Sequence, residues 1–157
     1  MLDRNYEEES FIIFQIAGVN YGIRSKMVQQ LEMVENITPV PNLPPYVEGV
    51  MLSRGKVIPV INMRVRFGLE KIPFTLKSRI IVVNINERIV GIIVDSAREY
   101  INIPKEKIQP VSDSFLDISS RFLEGIANLE GRLILIINLE EILETSVSTL
   151  IQGGIEK

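Results

Sequence analysis

The chain has 157 residues, a formal net charge of −3 and a pI near 5.1, with 46% hydrophobic and 24% charged residues. It contains neither Cys nor His, which excludes disulfides, thiolate metal sites, cysteine nucleophiles and histidine-centred triads. The acidic balance argues against nucleic acid as a partner, because neutralising phosphates requires clustered Lys and Arg.

Residues 1–9 are acidic and lack the apolar stretch of a signal peptide, so they are expected to form a flexible tail. Short strands rich in β-branched residues are predicted over 11–16, 21–24 and 30–34. Pro39, Pro41, Pro44 and Pro45 then mark an irregular connection. A hairpin follows, with strands over 50–52 and 57–61 turning at Arg54-Gly55, and a short helical turn ends at Gly68. Pro59 inside a strand predicts an edge or a bulge. A linker over 69–78 leads to further strands at 79–85, 89–95, 99–103, 126–129 and 133–137. Asn138, the acidic run from Glu140 and the apolar spacing of Ile142, Leu143, Val147 and Leu150 predict a C-terminal amphipathic helix over 139–152. The longest apolar runs fall far short of the about 20 residues of a membrane span, so direct membrane insertion is not expected.

The segment 48–63 is echoed at 124–139, a displacement of 76 positions from Glu48 to Glu124. A second echo links 14–23 with 83–92, with Gly22 and Gly91 flanked alike. Two echoes in the same order imply two related halves, and ten short strands in two groups of five imply a pair of small closed barrels. The expected division is a first barrel over 10–76, a second over 77–138 and the helix over 139–152, all within one domain. Closure hides the edges that such Ile-rich strands would otherwise expose.

Chemistry finds little to stand on. The chain has neither a G-x-x-x-x-G-K-[ST] loop nor a G-x-G-x-x-G motif, so nucleotide binding has no support. Asp95 ends an apolar strand, but in an antiparallel sheet it reads as structural rather than as a phosphoacceptor. Glu140-Glu141 sits where carboxylates favour a helix dipole. Lys77, Arg79, Lys105 and Lys107 have no stacking aromatic between them, so a single-strand-binding surface is a remote alternative. No cofactor and no metal are expected, and the chain does not read as an enzyme. What remains is surface: Val28, Leu31 and Met33 near the Pro-rich connection, and Tyr100 after a strand expected between the halves.

The stretch from Val47 through Arg54-Gly55 and Pro59 to Met63 resembles the signature of the CheW family of bacterial chemotaxis adaptors. Residues 14–23, 79–96 and 124–143 fall in order where that family has its other landmarks. The resemblance implies an all-β fold of two SH3-like, five-stranded antiparallel barrels packed side by side. It also implies a cytoplasmic scaffold, recruited to membrane chemoreceptor arrays, that couples the cytoplasmic tip of methyl-accepting chemoreceptors to the regulatory domain of the histidine kinase CheA. By position it assigns Val28, Gln30 and Tyr100 to receptor binding, and Gly49, Arg54 and Gly55 to the coupling motif. The chain departs from the family pattern at Leu52-Ser53, where Asn-Leu is usual, and at Gln30, often Glu. A same-fold adaptor serving another kinase pathway is the alternative.

Overall fold

The computed structural model describes residues 8–111 and 121–144. Along them run β1 (Glu8–Ile16), β2 (Val19–Arg24), β3 (Val28–Met33), β4 (Val47–Ser53), β5 (Lys56–Asn62), α1 (Met63–Arg66) and β6 (Arg79–Ile85). They continue through β7 (Arg88–Val94), β8 (Ser96–Pro104), β9 (Ile108–Gln109), β10 (Leu123–Leu129), β11 (Arg132–Ile137) and α2 (Leu139–Glu144). The ten predicted strands are present with shifted ends; β9 is additional, and its two residues are too few to show a period. Glu8 and Glu9, expected in the tail, belong to β1, where Glu9 pairs with Arg24. The helix expected to residue 152 is described to Glu144, and its remainder, like residues 1–7, lies outside the described residues.

Four two-residue turns set the hairpins. Their first residues, Ala17, Arg54, Asn86 and Glu130, have φ of 52°, 51°, 51° and 55°. Their second residues, Gly18, Gly55, Glu87 and Gly131, have φ of 79°, 80°, 68° and 91°. Two positive angles in succession make the turn whose twist matches that of the flanking strands. The glycines at 55 and 131 were expected there; the left-handed residue before each was not.

The strands assemble into two barrel-like sheets, in the orders β8-β1-β2-β11-β10-β9 and β3-β6-β7-β5-β4. The expected division into barrels over 10–76 and 77–138 is therefore corrected. Each sheet takes strands from both halves, and the sheets have six and five strands. Four pairings cross between the halves. β1 with β8 and β3 with β6 are antiparallel. Two are parallel, Tyr21 and Gly22 of β2 with Leu135 and Ile136 of β11, and Val60 and Ile61 of β5 with Gly91 and Ile92 of β7. Under the repeat Gly22 corresponds to Gly91 and Ile136 to Val60, so one joint has been made twice, each time between halves. A glycine stands at each joint. A Cβ at Gly22 would stand 3.1 Å from Ile136, and one at Gly91 would stand 2.9 Å from Ile80, so these positions admit crowded apolar neighbours only without a side chain. Pro59 lies one residue before the β5 stretch paired with β7, so its missing N–H removes no bond at that seam.

Three apolar clusters follow the alternation of the strands. Ile80 and Val82 point with Met51, Ile58 and Val60 into one barrel, whereas Phe11, Ile13, Ala127, Ile134 and Ile136 fill the other. Ile81 and Val83, on the opposite face of β6, join Phe14, Ile16, Ile23, Ile61, Val90, Ile92, Ile137, Leu139 and Ile142 between the barrels. This shared cluster is the largest of the three. Burying each such side chain contributes roughly 1.5–3 kcal/mol, so the barrels are held as one body. Asp95 reinforces the join: its carboxylate accepts from the Ala17 N–H at 2.8 Å and from Arg64 of α1 at 3.1 Å, the structural part expected of it. Among the described residues no helix is long and apolar enough to cross a membrane.

Candidate functional site

β3 lies at one edge of the five-stranded sheet and β4 at the other. The Thr38–Val50 bridge brings the segment after β3 onto β4, and side chains complete the closure. Arg54 Nε donates to Gln30 Oε1 at 3.1 Å, while the Gln30 amide donates to Ser53 Oγ at 3.4 Å and also to the Glu32 carboxylate. The structure thus brings Gln30 and Arg54, assigned separately by sequence, into direct contact. Glu32 and Ser53 complete the cluster and were missed. The signal for Glu32 was available, since residues two apart share a strand face; Ser53 required knowledge that the barrel edges meet.

Val28 opens β3 opposite Val83 and packs half-buried against the inter-barrel cluster. A register shift between Val28 and Gln30 re-aims the strand between these two residues. Beyond it Leu31 and Met33 stand exposed. Tyr100 lies within the edge strand β8 of the other sheet, opposite Ile12, and is 63% exposed. Hydrogen bonding with Ser10 first and Ser25 second holds its phenol below the ordinary value. Ser25 begins the short 3-10 turn that leads into Val28.

The three motif residues separate. Gly49 is buried at φ 150°, where a Cβ would stand 2.1 Å from the Thr38 carbonyl oxygen. Its requirement is for backbone. Gly55, at φ 80°, faces open space, and only Arg54 extends a functional group. Next to the turn, Leu52 and Val57 face each other across the hairpin at 68% and 69% exposure. In the repeat the same pair is Asn128 and Leu133, so the second hairpin presents a more polar tip.

Exposed apolar pairs, edge strands and a hydrogen-bonded polar cluster on a rigid double barrel define an interaction module built on surfaces. The chain belongs to the CheW family, whose CheW-like domain model matches residues 10–147. It is 37% identical over 142 residues to the Chemotaxis protein CheW of Helicobacter pylori, covering 89% of this chain and 84% of that one. The Chemotaxis protein CheW of Bacillus subtilis is 32% identical over 140 residues, 89% of this chain and 90% of its own. Among solved structures, the scaffolding protein TtCheW from Thermoanaerobacter tengcongensis superimposes with a TM-score of 0.80 at 35% identity, covering 87% of this chain and 93% of that one.

Proposed function

We propose that this chain is a non-enzymatic chemotaxis scaffold that couples methyl-accepting chemoreceptors to the histidine kinase CheA, working in the cytoplasm at membrane receptor arrays. The observation that carries the proposal is the Gln30–Arg54 contact, which joins a receptor-facing position to the coupling motif. Val28, Gln30 and Tyr100 take the receptor tip, with Val28 as the apolar anchor and Tyr100 offering an exposed ring. Arg54 orients Gln30 and reports its engagement to the hairpin, while Gly49 and Gly55 shape the backbone. The exposed Leu52–Val57 pair supplies an apolar centre for the regulatory domain of the kinase. Contacts of this transient class bury about 1,000–1,600 Å² in total, and a few central anchors dominate them. Two weak contacts on one rigid body still hold an assembly, because the first raises the effective concentration for the second.

Sedimentation of the protein with a receptor signalling-tip fragment and the CheA regulatory domain should give a ternary complex. Val28→Ala and Arg54→Asn should reduce recovery of the receptor fragment while leaving the fold intact by circular dichroism. Failure to bind either partner would sink the function. Binding to both that neither variant alters would keep the function and remove the site assignment.

A further inference from the structure

Across the junction between the barrels, four rings stand in file: Phe14, Tyr21, Phe67 and Phe122, with successive centroids 5.7, 5.4 and 5.8 Å apart. Two cations gather at the end of the file. The Arg66 guanidinium lies 5.0 Å from the Tyr46 ring and 4.7 Å from that of Phe122, and Arg121 lies 5.7 Å from Phe122. Beside them opens a cavity of about 440 Å³ lined by Tyr21, Arg66, Phe67, Arg121, Phe122 and Leu135, among others.

Elsewhere in the molecule some arginines are held by carboxylates, whereas Arg54 and Arg79 rest on amide and backbone oxygens. Arg24 is paired with Glu9 and Glu124, Arg64 with Asp95, and Arg132 with Glu99. Among the described residues no carboxylate pairs with Arg66 or Arg121. Arg66 Nε donates to the Ile142 carbonyl at 3.0 Å, which fixes the side chain without neutralising it. Burial, with the like charge of Arg121 adding to it, holds the Arg66 guanidinium below its ordinary value. Two like charges against an apolar wall are an unfavourable arrangement that an anion would relieve, and a guanidinium presents the planar donor fork that carboxylates and sulfonates fit. The aromatic and aliphatic lining asks for more than a bare ion, and the volume lies within the about 300–1,000 Å³ of small-molecule sites.

We propose that this cavity binds a small amphipathic organic anion, with a carboxylate or sulfonate head on Arg66 and Arg121 and an apolar body against Phe67, Phe122 and Leu135. An acidic side chain of another protein would meet the same guanidinium pair but leave the apolar wall uncovered. Tyr21 adds a neutral donor, since burial pushes its phenol above the ordinary value.

The test titrates the full chain with 8-anilinonaphthalene-1-sulfonate, following its fluorescence, and with the uncharged N-phenyl-1-naphthylamine. One saturable site should prefer the sulfonate by about tenfold or more, the scale of a charge-assisted contact. Arg121→Gln, at an exposed position, should abolish that preference, and Arg66→Lys should weaken it while circular dichroism stays unchanged. Octanoate should displace the probe and octanamide should not. Equal affinity for the charged and neutral probes, unsaturable uptake, or full affinity in folded Arg121→Gln would overturn the proposal.

Discussion

A Cβ at Gly49 would stand 2.1 Å from the Thr38 carbonyl oxygen, whereas one at Gly55 would meet nothing within 4 Å. Both are motif glycines, yet physically they differ. Gly49→Ala must move the Thr38–Val50 bridge that helps close the barrel, and should lower stability by at least about 2 kcal/mol. Gly55→Ala meets only the left-handed backbone and should lose about 1 kcal/mol. Urea midpoints of the two variants decide it, and equal losses would mean the barrel edge yields more readily than its geometry implies. Glu9 carries a second prediction. Its hydrogen bond from Arg24 holds its carboxyl below the ordinary value, so the pair's stabilisation is complete above the unfolded value of about 4.3 and fades as pH falls through the folded one. Glu9→Gln should therefore cost less than about 1 kcal/mol at neutral pH and progressively less as pH is lowered below about 4.3, measured by denaturation across that range. Gln30 and Ser53, two positions at which this chain departs from the family pattern, touch each other at 3.4 Å. Sequence shows the two departures but not their contact, because 23 residues of chain separate them.

In each half an asparagine at the junction of the last strand and the following helix caps that helix, Asn62 as the final residue of β5 and Asn138 just after β11, but the two caps are embedded differently. The Asn62 side-chain oxygen Oδ1 accepts from the N–H groups of Arg64 at 3.0 Å and Val65 at 3.4 Å, and its amide donates to Glu48 at 2.9 Å. The Asn138 side-chain oxygen Oδ1 accepts from the Glu141 N–H at 3.2 Å. Asn62→Ala therefore removes a cap and also takes from the Glu48 carboxylate a partner that Lys71 alone cannot replace in kind. It should destabilise by about 2 kcal/mol against about 1 kcal/mol for Asn138→Ala, compared as thermal midpoints of otherwise identical chains. A larger effect at Asn138 would show that α2 depends on its cap more than the described contacts imply. At this scale the sequence was most informative. Turn residues and alternating apolar positions act within a few residues, so they marked the hairpins and the Asn138 cap directly. β9 escaped because its ladder rests on Ile126 and Ala127, far along the chain, rather than on any pattern of its own.

The assignment of strands to barrels belongs to the whole molecule, and there local pattern points the wrong way. A duplicated sequence reads as two units side by side, but β2 pairs with β11 and β5 with β7, and each partner lies in the other half. Parallel pairing carries no turn to announce it. The only trace in the sequence is the matched glycines Gly22 and Gly91, whose missing side chains become meaningful once Ile136 is known to crowd the first and Ile80 the second. The consequence can be tested by cutting the chain in the exposed segment between Leu69 and Ser78, for example after Ile72. If each barrel needs both halves, residues 1–72 alone leave β1 and β2 without β8 and β11, and leave β5 without β7. Neither fragment should show a cooperative thermal transition or dispersed amide resonances. Mixed in equal amounts, the two should recover both, because the seams and the cluster between the barrels are noncovalent and the cut touches neither. The recovered complex should melt in one transition that moves to higher temperature with concentration, since association has become bimolecular. A cooperative melt from either fragment alone would mean that one half closes a barrel by itself, and that the exchange of strands is a choice of the intact chain rather than a condition of its folding.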